Sequence, residues 1–403
     1  MLLERFINYV KIDTMSQEDV SKTPSTTKQF NLARLLKKEL EDLGLTDIKL
    51  TDDCILTATL KSNSDELDDT IGFIAHMDTI PGFSGKDVNP QIIKNYDGKS
   101  IHLKNDITLD TIQFPYMNSL IGKTLITTDG TTVLGADDKA GVAEIMEMLE
   151  YFVNHKEIKH TTIKVAFTPD EEIGGGIDSF DVDDFAASYA FTVDGGDYKE
   201  INYENFNAAS AKVLITGLDI HPGSAKNQMI NASLIAAEFE MMLPEFEKPM
   251  YTDGYEGFNH LCQIEGNVGY AKMDYILRNH NKELLEKQKE TFINIKNKLN
   301  QKYNKSIVDV IIKDSYSNMR ELIEKDPRSI IRAKEAMQRL NIKMTTSPIR
   351  GGTDGAKLTL KGLNTPNLGT GGYNCHGPYE FACLEEMEKV VLILIEIAKI
   401  KSR

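Results

Sequence analysis

The chain has 403 residues, of which 41% are hydrophobic and 27% charged, and it carries a net charge of −15. That length exceeds one ordinary hydrophobic core, so two domains are expected, one of them discontinuous. The acidic balance argues against nucleic acid as a partner, because binding a phosphate backbone needs a basic patch.

The opening "MLLERFINYV" meets Glu4 and Arg5 at once and reads as an amphipathic helix rather than a secretion signal. "PSTTKQFNLARLLKKELEDLG" places Leu32, Leu35, Leu36, Leu40 and Leu43 on one helical face, with Ser25 as the expected cap and Gly44 as the stop. "CILTATL" alternates like a half-buried strand, and "TIGFIAH" is a buried strand ending at His76. A second helix carries Val142, Ile145, Met146, Leu149, Phe152 and Val153 at helical spacing, and the strands "TIKVAF" and "YAFTVD" follow. This alternation predicts an α/β domain: a mixed, largely parallel sheet covered by helices.

From about residue 208 the texture changes. Strand "AKVLITGL", helix "QMINASLIAAEFEMML", two strands in "LCQIEGNVGYAKMDYILR", a long charged helix and strand "IVDVIIKD" follow in order. That β-α-β-β-α-β order is the split pattern of a small α+β domain. Helices "SIIRAKEAMQRLN" and "EEMEKVVLILIEIAKI" then resume the first texture. The expected division is a domain of residues 1–207 and 319–403, interrupted by an inserted domain of residues 208–318. The longest apolar run, "VVLILIEIA", is broken by Glu396 and is too short to span a bilayer. Cys54, Cys262, Cys375 and Cys383 are scattered without a disulfide-like pattern. A soluble, cytoplasmic protein with no membrane partner is expected.

"FTPDEE" sets Asp170, Glu171 and Glu172 side by side at a strand end, where mutual repulsion must be offset by solvent, basic neighbours or a cation. Other potential ligands share that placement. His76 ends one strand, Asp194 ends another, Asp137 precedes a helix, and His376 lies in the loop "GTGGYNCHG". In open α/β sheets such residues collect at the carboxyl ends of the strands, so all five could meet at one edge. Two histidines and three carboxylates without a thiolate suit two divalent ions, one carboxylate bridging, and zinc is the expected metal. Asp78, two residues beyond His76, is placed to hold that imidazole's tautomer. "GKT" at 122–124 is no phosphate loop, since Met117 stands where its first glycine belongs.

The stretches "AHMDTIPGFSGKDVNPQI", "TTDGTTVLGADDKAGVAEIM", "KVAFTPDEEIG", "FTVDGG", "HPGSAKNQMINA", "IRGGTDGAKL" and "GTGGYNCHG" together resemble the signatures of the M20 family of binuclear zinc peptidases, and within it the tripeptide aminopeptidases. The likeness runs in order along nearly the whole chain. It implies that Asp137 bridges two zinc ions, with cobalt or manganese as substitutes. His76 and Asp194 would complete one metal, and Glu172 and His376 the other. Glu171 would be the general base and Asp78 the catalytic aspartate beside the metal-binding histidine, while the peptide after Asp137 would be cis. In the inserted domain, a lid or association domain on this reading, the resemblance assigns His221 to the oxyanion and Arg278 to a substrate carboxylate. Arg350 and Asn231 are further substrate-binding candidates. Cys375, where an aromatic residue is usual, could sensitise the site to thiol reagents.

The expected activity is release of the N-terminal residue from tripeptides, with short peptides as partners and a homodimer formed through the inserted domain's sheet edge. The alternatives are a related binuclear dipeptidase or acyl-amino-acid deacylase, or a metal-stabilised binding protein without chemistry. Asp170 has no assigned role beyond a loop or capping carboxylate.

Overall fold

The computed structural model describes residues 1–67 and 69–401. It divides into two compact units: Met1–Tyr203 with Glu321–Ser347 and Thr353–Arg403, and Glu204–Arg320 with Pro348–Gly352. Among the described residues no helix is long and apolar enough to cross a membrane.

The first unit is built on a seven-stranded sheet. Its strands run in the order Thr46–Leu50, Leu56–Leu60, Thr162–Thr168, Thr70–His76, Tyr189–Val193, Asn367–Leu368 and Ile201–Asn202. The middle four are mutually parallel, and antiparallel strands close both sides. Burial on both faces explains why the central strands read as continuous apolar runs rather than alternating ones. Ile71, Phe73 and Ala75 join the larger core, shared with the helices Leu2–Val10, Gln29–Asp42, Ala136–Asn154, Arg328–Arg339 and Leu384–Lys399. Ile74 faces the smaller cluster of Ile55, Phe180, Phe185 and Leu358 on the opposite side.

Two local features depart from expectation. Ser25 does not cap the helix Gln29–Asp42, whose cap is Lys28 without a side-chain bond. Ser25 instead gives its backbone N–H and hydroxyl to the buried Asp170 carboxylate. Nor did the sequence signal a second, antiparallel sheet, ordered Gly372–Tyr373, Phe381–Cys383, Leu125–Thr127 and Gln91–Ile93. Its two- and three-residue strands are too short to show a period. It is nonetheless the element that pairs the strand after His376 with the strand before Asp137.

The second unit is a four-stranded antiparallel sheet in the order Phe258–Gly266, Tyr270–Asn279, Asn207–Thr216 and Val308–Tyr316. The helices Ala232–Met242 and Lys282–Lys302 cover one face through Phe239, Phe292, Ile295 and Leu299, packed on Val213, Met273, Tyr275 and Leu277. The element order is β-α-β-β-α-β. Asn231 and Asn281 cap the two helices, accepting the N–H of Leu234 and Leu284. The segment 348–352 also belongs to this unit, because Ile349 donates to the Glu204 carbonyl and Arg350 clasps the loop 252–256. Arg350 therefore falls outside the α/β unit to which residue order had assigned it.

Within the helix Ala136–Asn154, Glu144 is fully buried and both its carboxyl oxygens lack hydrogen-bond partners. Burial pushes this carboxyl well above its usual value of 4.5. A raised folded pKa makes the group's stabilising share complete below the unfolded value and erodes it as pH rises through the folded one. Replacing Glu144 with Gln is therefore expected to raise stability over the wild type by an amount that grows from pH 5 to pH 8. Urea unfolding at several pH values checks this, and a difference that stays constant with pH refutes it.

Candidate metal centre

Parallel pairing brings the strand ends level. His76 lies opposite Thr168, so the turn Pro169–Glu172 emerges beside it, and Asp194 follows the neighbouring strand Tyr189–Val193. The helix Ala136–Asn154 can approach this edge because residue 141 is glycine: a β-carbon there would sit 1.8 Å from the Val193 carbonyl oxygen.

The imidazole of His76 is buried. Its Nε2 lies 2.9 Å from Asp137 Oδ1 and 4.0 Å from Asp194 Oδ1. The other oxygen, Asp137 Oδ2, is 3.0 Å from His376 Nε2, which is also 3.0 Å from Glu172 Oε2. The donor atoms thus form two groups, His76–Asp137–Asp194 and Asp137–Glu172–His376, each within 4.8 Å, with Asp137 common to both. The Asp137–Asp138 peptide is cis.

Asp78, with no exposed surface, ties these parts together. Its Oδ1 is 3.3 Å from His76 Nδ1 and accepts the Glu171 N–H at 3.0 Å, while Oδ2 accepts the Glu172 N–H at 3.3 Å. Asp138 Oδ2 accepts the His76 backbone N–H at 3.1 Å. With Nδ1 engaged by Asp78, Nε2 is the nitrogen free to face a cation.

Two further carboxylates stand here, Asp170, expected only as a loop or capping group, and Asp354, which the sequence did not single out. Asp170 is buried, and accepts from Ser25 N at 2.6 Å, Ser25 Oγ at 2.5 Å and Gln29 Nε2 at 2.6 Å. Its backbone carbonyl takes the N–H groups of Gly175 and Gly176. A β-carbon at residue 176 would stand 1.5 Å from the Pro169 carbonyl oxygen, so only glycine closes this turn. Asp354, also buried, accepts the Thr168 hydroxyl at 3.1 Å. The repeated carboxylates of "PDEE" were a signal for Asp170; nothing in residue spacing pointed to Asp354.

Negative charge is concentrated here beyond what two imidazoles balance. Burial pushes up the carboxyls of Glu171 and Glu172, takes Asp354 to about 6 and, with Asp137 alongside, takes Asp194 to about 7. Burial also opposes ionisation of Asp137, but hydrogen bonds from His376 and His76 outweigh it and hold that carboxyl below its usual range. Hydrogen bonds to Asp137 and Glu172 raise His376 to about 10. His76 rises well above its usual value, because bonds to Asp137 and Asp78 overcome the opposing effect of burial. Buried acids with mixed N/O donors, no thiolate and one shared carboxylate fit a pair of divalent cations.

Burial and the carboxylates of Asp137 and Glu380 keep the Cys375 thiol well above its usual pKa, which disfavours the reactive thiolate expected from its position. The remaining candidates lie in the second unit. His221 is exposed, and its Nδ1 accepts the Gly223 N–H at 3.2 Å. Arg278 donates to the carbonyls of Ala209 and Leu277 and lies over Tyr316. Arg350 donates to the carbonyls of Thr252, Gly254 and Glu256 and stacks on Phe206 and Phe258. The Asn231 side-chain oxygen is committed to its helix cap.

The chain belongs to peptidase family M20/M25/M40, whose model matches residues 134–400. It is 51% identical over 401 residues to the peptidase T of Caldanaerobacter subterraneus subsp. tengcongensis, covering 99% of this chain and 98% of that one. Identity to the peptidase T of Bacillus subtilis is 49% over 400 residues, with the same coverage of each chain. Among solved structures, aminopeptidase PepT from Bacillus cereus has the same fold, with a TM-score of 0.78 at 24% identity, covering 99% of this chain and 97% of that one.

A cation can take the His376 nitrogen only after its proton leaves, and the raised pKa of about 10 keeps that proton on at neutral pH. Loading the cation-free protein with zinc at pH 7 should therefore release about one proton from His376 alone, more from His76, and bind more tightly as pH rises. Calorimetry in buffers of different ionisation heat measures this release. Uptake of zinc without proton release would contradict the assigned pairing.

Proposed function

We propose that this protein is a tripeptide aminopeptidase working through two divalent cations, with zinc as the metal and cobalt or manganese as substitutes. One observation carries the chemistry: a single carboxylate, Asp137, faces His76 with one oxygen and His376 with the other, and Glu171 stands in the turn alongside. Near full-length identity of about half to peptidase T relatives supports the substrate class.

On this reading His76, Asp194 and Asp137 hold one cation, and Glu172, His376 and Asp137 the other. Cations bound there polarise the scissile carbonyl and acidify the attacking water, whose pKa can fall from 15.7 to roughly 7. Asp78 fixes the His76 ring and, through two backbone N–H groups, the direction of Glu171 and Glu172. Glu171, in the same turn as a ligand but outside both donor groups, keeps its carboxylate for proton work. It takes the proton of the water during attack and passes it to the leaving amine. The catalytic role of His221 at the oxyanion and that of Arg278 on a substrate carboxylate rest on the sequence resemblance. Arg350 and Asn231 belong to the same proposal, although each already has a structural engagement.

The proposal includes a cytoplasmic site of action and short free peptides as substrates. The strand Phe258–Gly266, at an edge of its sheet, is where a second copy would pair.

The test is release of the N-terminal residue from a free tripeptide, with the N-acetylated peptide alongside. Cleavage of the free peptide only, abolished by a chelator and restored by zinc or cobalt, is expected. Preference for the acetylated peptide would replace the proposal with a deacylase, and no cleavage of either by metal-loaded protein would remove it. The Glu171→Gln variant should lose about 10²–10⁴ in turnover while still binding two cations by calorimetry. Full turnover in that variant would end the general-base assignment.

A further inference from the structure

We infer that Glu380 is a positioning residue of the metal centre, its carboxylate fastening the loop that carries Asp137 to the loop that carries His376. The inference rests on the two-cation reading above.

Glu380 is 1% exposed and stands just before the strand Phe381–Cys383, four residues after His376. Its Oε2 accepts the N–H groups of Leu134 at 2.7 Å and Gly135 at 2.8 Å, and its Oε1 accepts that of Asp137 at 3.0 Å. These amides lie in the lead-in to the helix Ala136–Asn154, where Asp137 and Asp138 have non-helical backbone angles. Buried backbone N–H groups outside a regular helix need an acceptor from elsewhere. Here the acceptor comes from 243 residues further along the chain. Three backbone N–H groups converge on this one carboxyl group and engage both of its oxygens.

The consequence falls unevenly on the two donor groups. His76 is seated in a central strand, where its backbone N–H is held by Asp138 and its ring by Asp78. His376 instead lies in the loop between the short paired strands Gly372–Tyr373 and Phe381–Cys383. Its loop is closed by the Glu380 N–H on the Gly377 carbonyl and by Asn374 Nδ2 on the Tyr379 carbonyl. The placing of His376 beside Asp137 therefore depends on the short antiparallel sheet and the Glu380 bracket together, whereas the distance from His76 to Asp194 follows from pairing in the central sheet. A glutamine at 380 retains the shape, but must point an NH2 group at backbone N–H donors on one side or the other.

The experiment titrates the cation-free Glu380→Gln and Glu380→Asp variants with Co2+, followed by calorimetry and visible absorption. Thermal unfolding verifies that the variants are folded. One of the two binding steps should weaken about 10–100-fold with a changed cobalt spectrum, while the other stays within about threefold. A merely structural residue would lower the unfolding temperature without separating the two steps. A folded variant that binds both ions as the wild type does overturns the inference.

A measurement on the wild type covers the case in which neither variant folds. Hydrogen exchange of the amides at 134, 135 and 137 should be slow in the cation-free protein, because the bracket exists without cations. Fast exchange there, slowed only by added metal, would overturn the inference. A wild type that binds fewer than two cations would end the two-cation reading instead, with the exchange result still deciding the bracket.

Discussion

The structure turns on concentrating negative charge around Asp137. Its carboxylate spans two imidazoles, with Asp194 and Glu172 one step further out and Asp78, Asp138, Glu171 and Asp354 close behind. Such a cluster is costly to bury unless something positive completes it. Without cations that part falls to His76 and His376, whose charged forms the neighbouring acids favour. The same arrangement makes the site a receptor for divalent ions and ties ion binding to proton release.

Repulsion of that kind would push the loops apart if the backbone were free. The chain prevents this by giving each loop its own carboxylate anchor. Asp170 ties the turn of Glu171 and Glu172 to Ser25 and Gln29 in the N-terminal segment. Asp78 holds the amides of the same turn, and Glu380 holds those of Leu134, Gly135 and Asp137. These acids accept backbone N–H groups, which hold a carboxyl group in place without supplying a competing cation. Several of the buried acids thus hold backbone rather than join the two candidate donor groups.

The helix Ala136–Asn154 and the strands around it show how packing serves the site. Gly141 lets the helix touch the Val193 carbonyl, one residue before Asp194, and Gly176 lets the acidic turn fold back on Pro169. Each glycine sits where any side chain would collide with backbone, and each collision would move a segment that carries a candidate donor. Glu144, buried on the same helix without partners, is the contrasting case, an acid whose ionisation burial opposes.

Local sequence determined the elements whose periods are long. The apolar runs ending at His76 and before Asp194, the helix after Asp137 and the β-α-β-β-α-β segment are legible because burial on one face or both leaves a repeating trace. Parallel strands then dictate that their ends share an edge, which is why His76, Glu172 and Asp194 could be grouped from residue order. What repeats in no period was not legible. The short antiparallel sheet that sets His376 beside Asp137, the anchors Asp170 and Glu380, the proximity of Asp354, and the placing of Arg350 in the second unit all depend on contacts between distant segments. A carboxylate that accepts backbone N–H groups leaves no mark on the donor residues, since every residue but proline offers the same N–H. Only the folded chain decides which amides it meets.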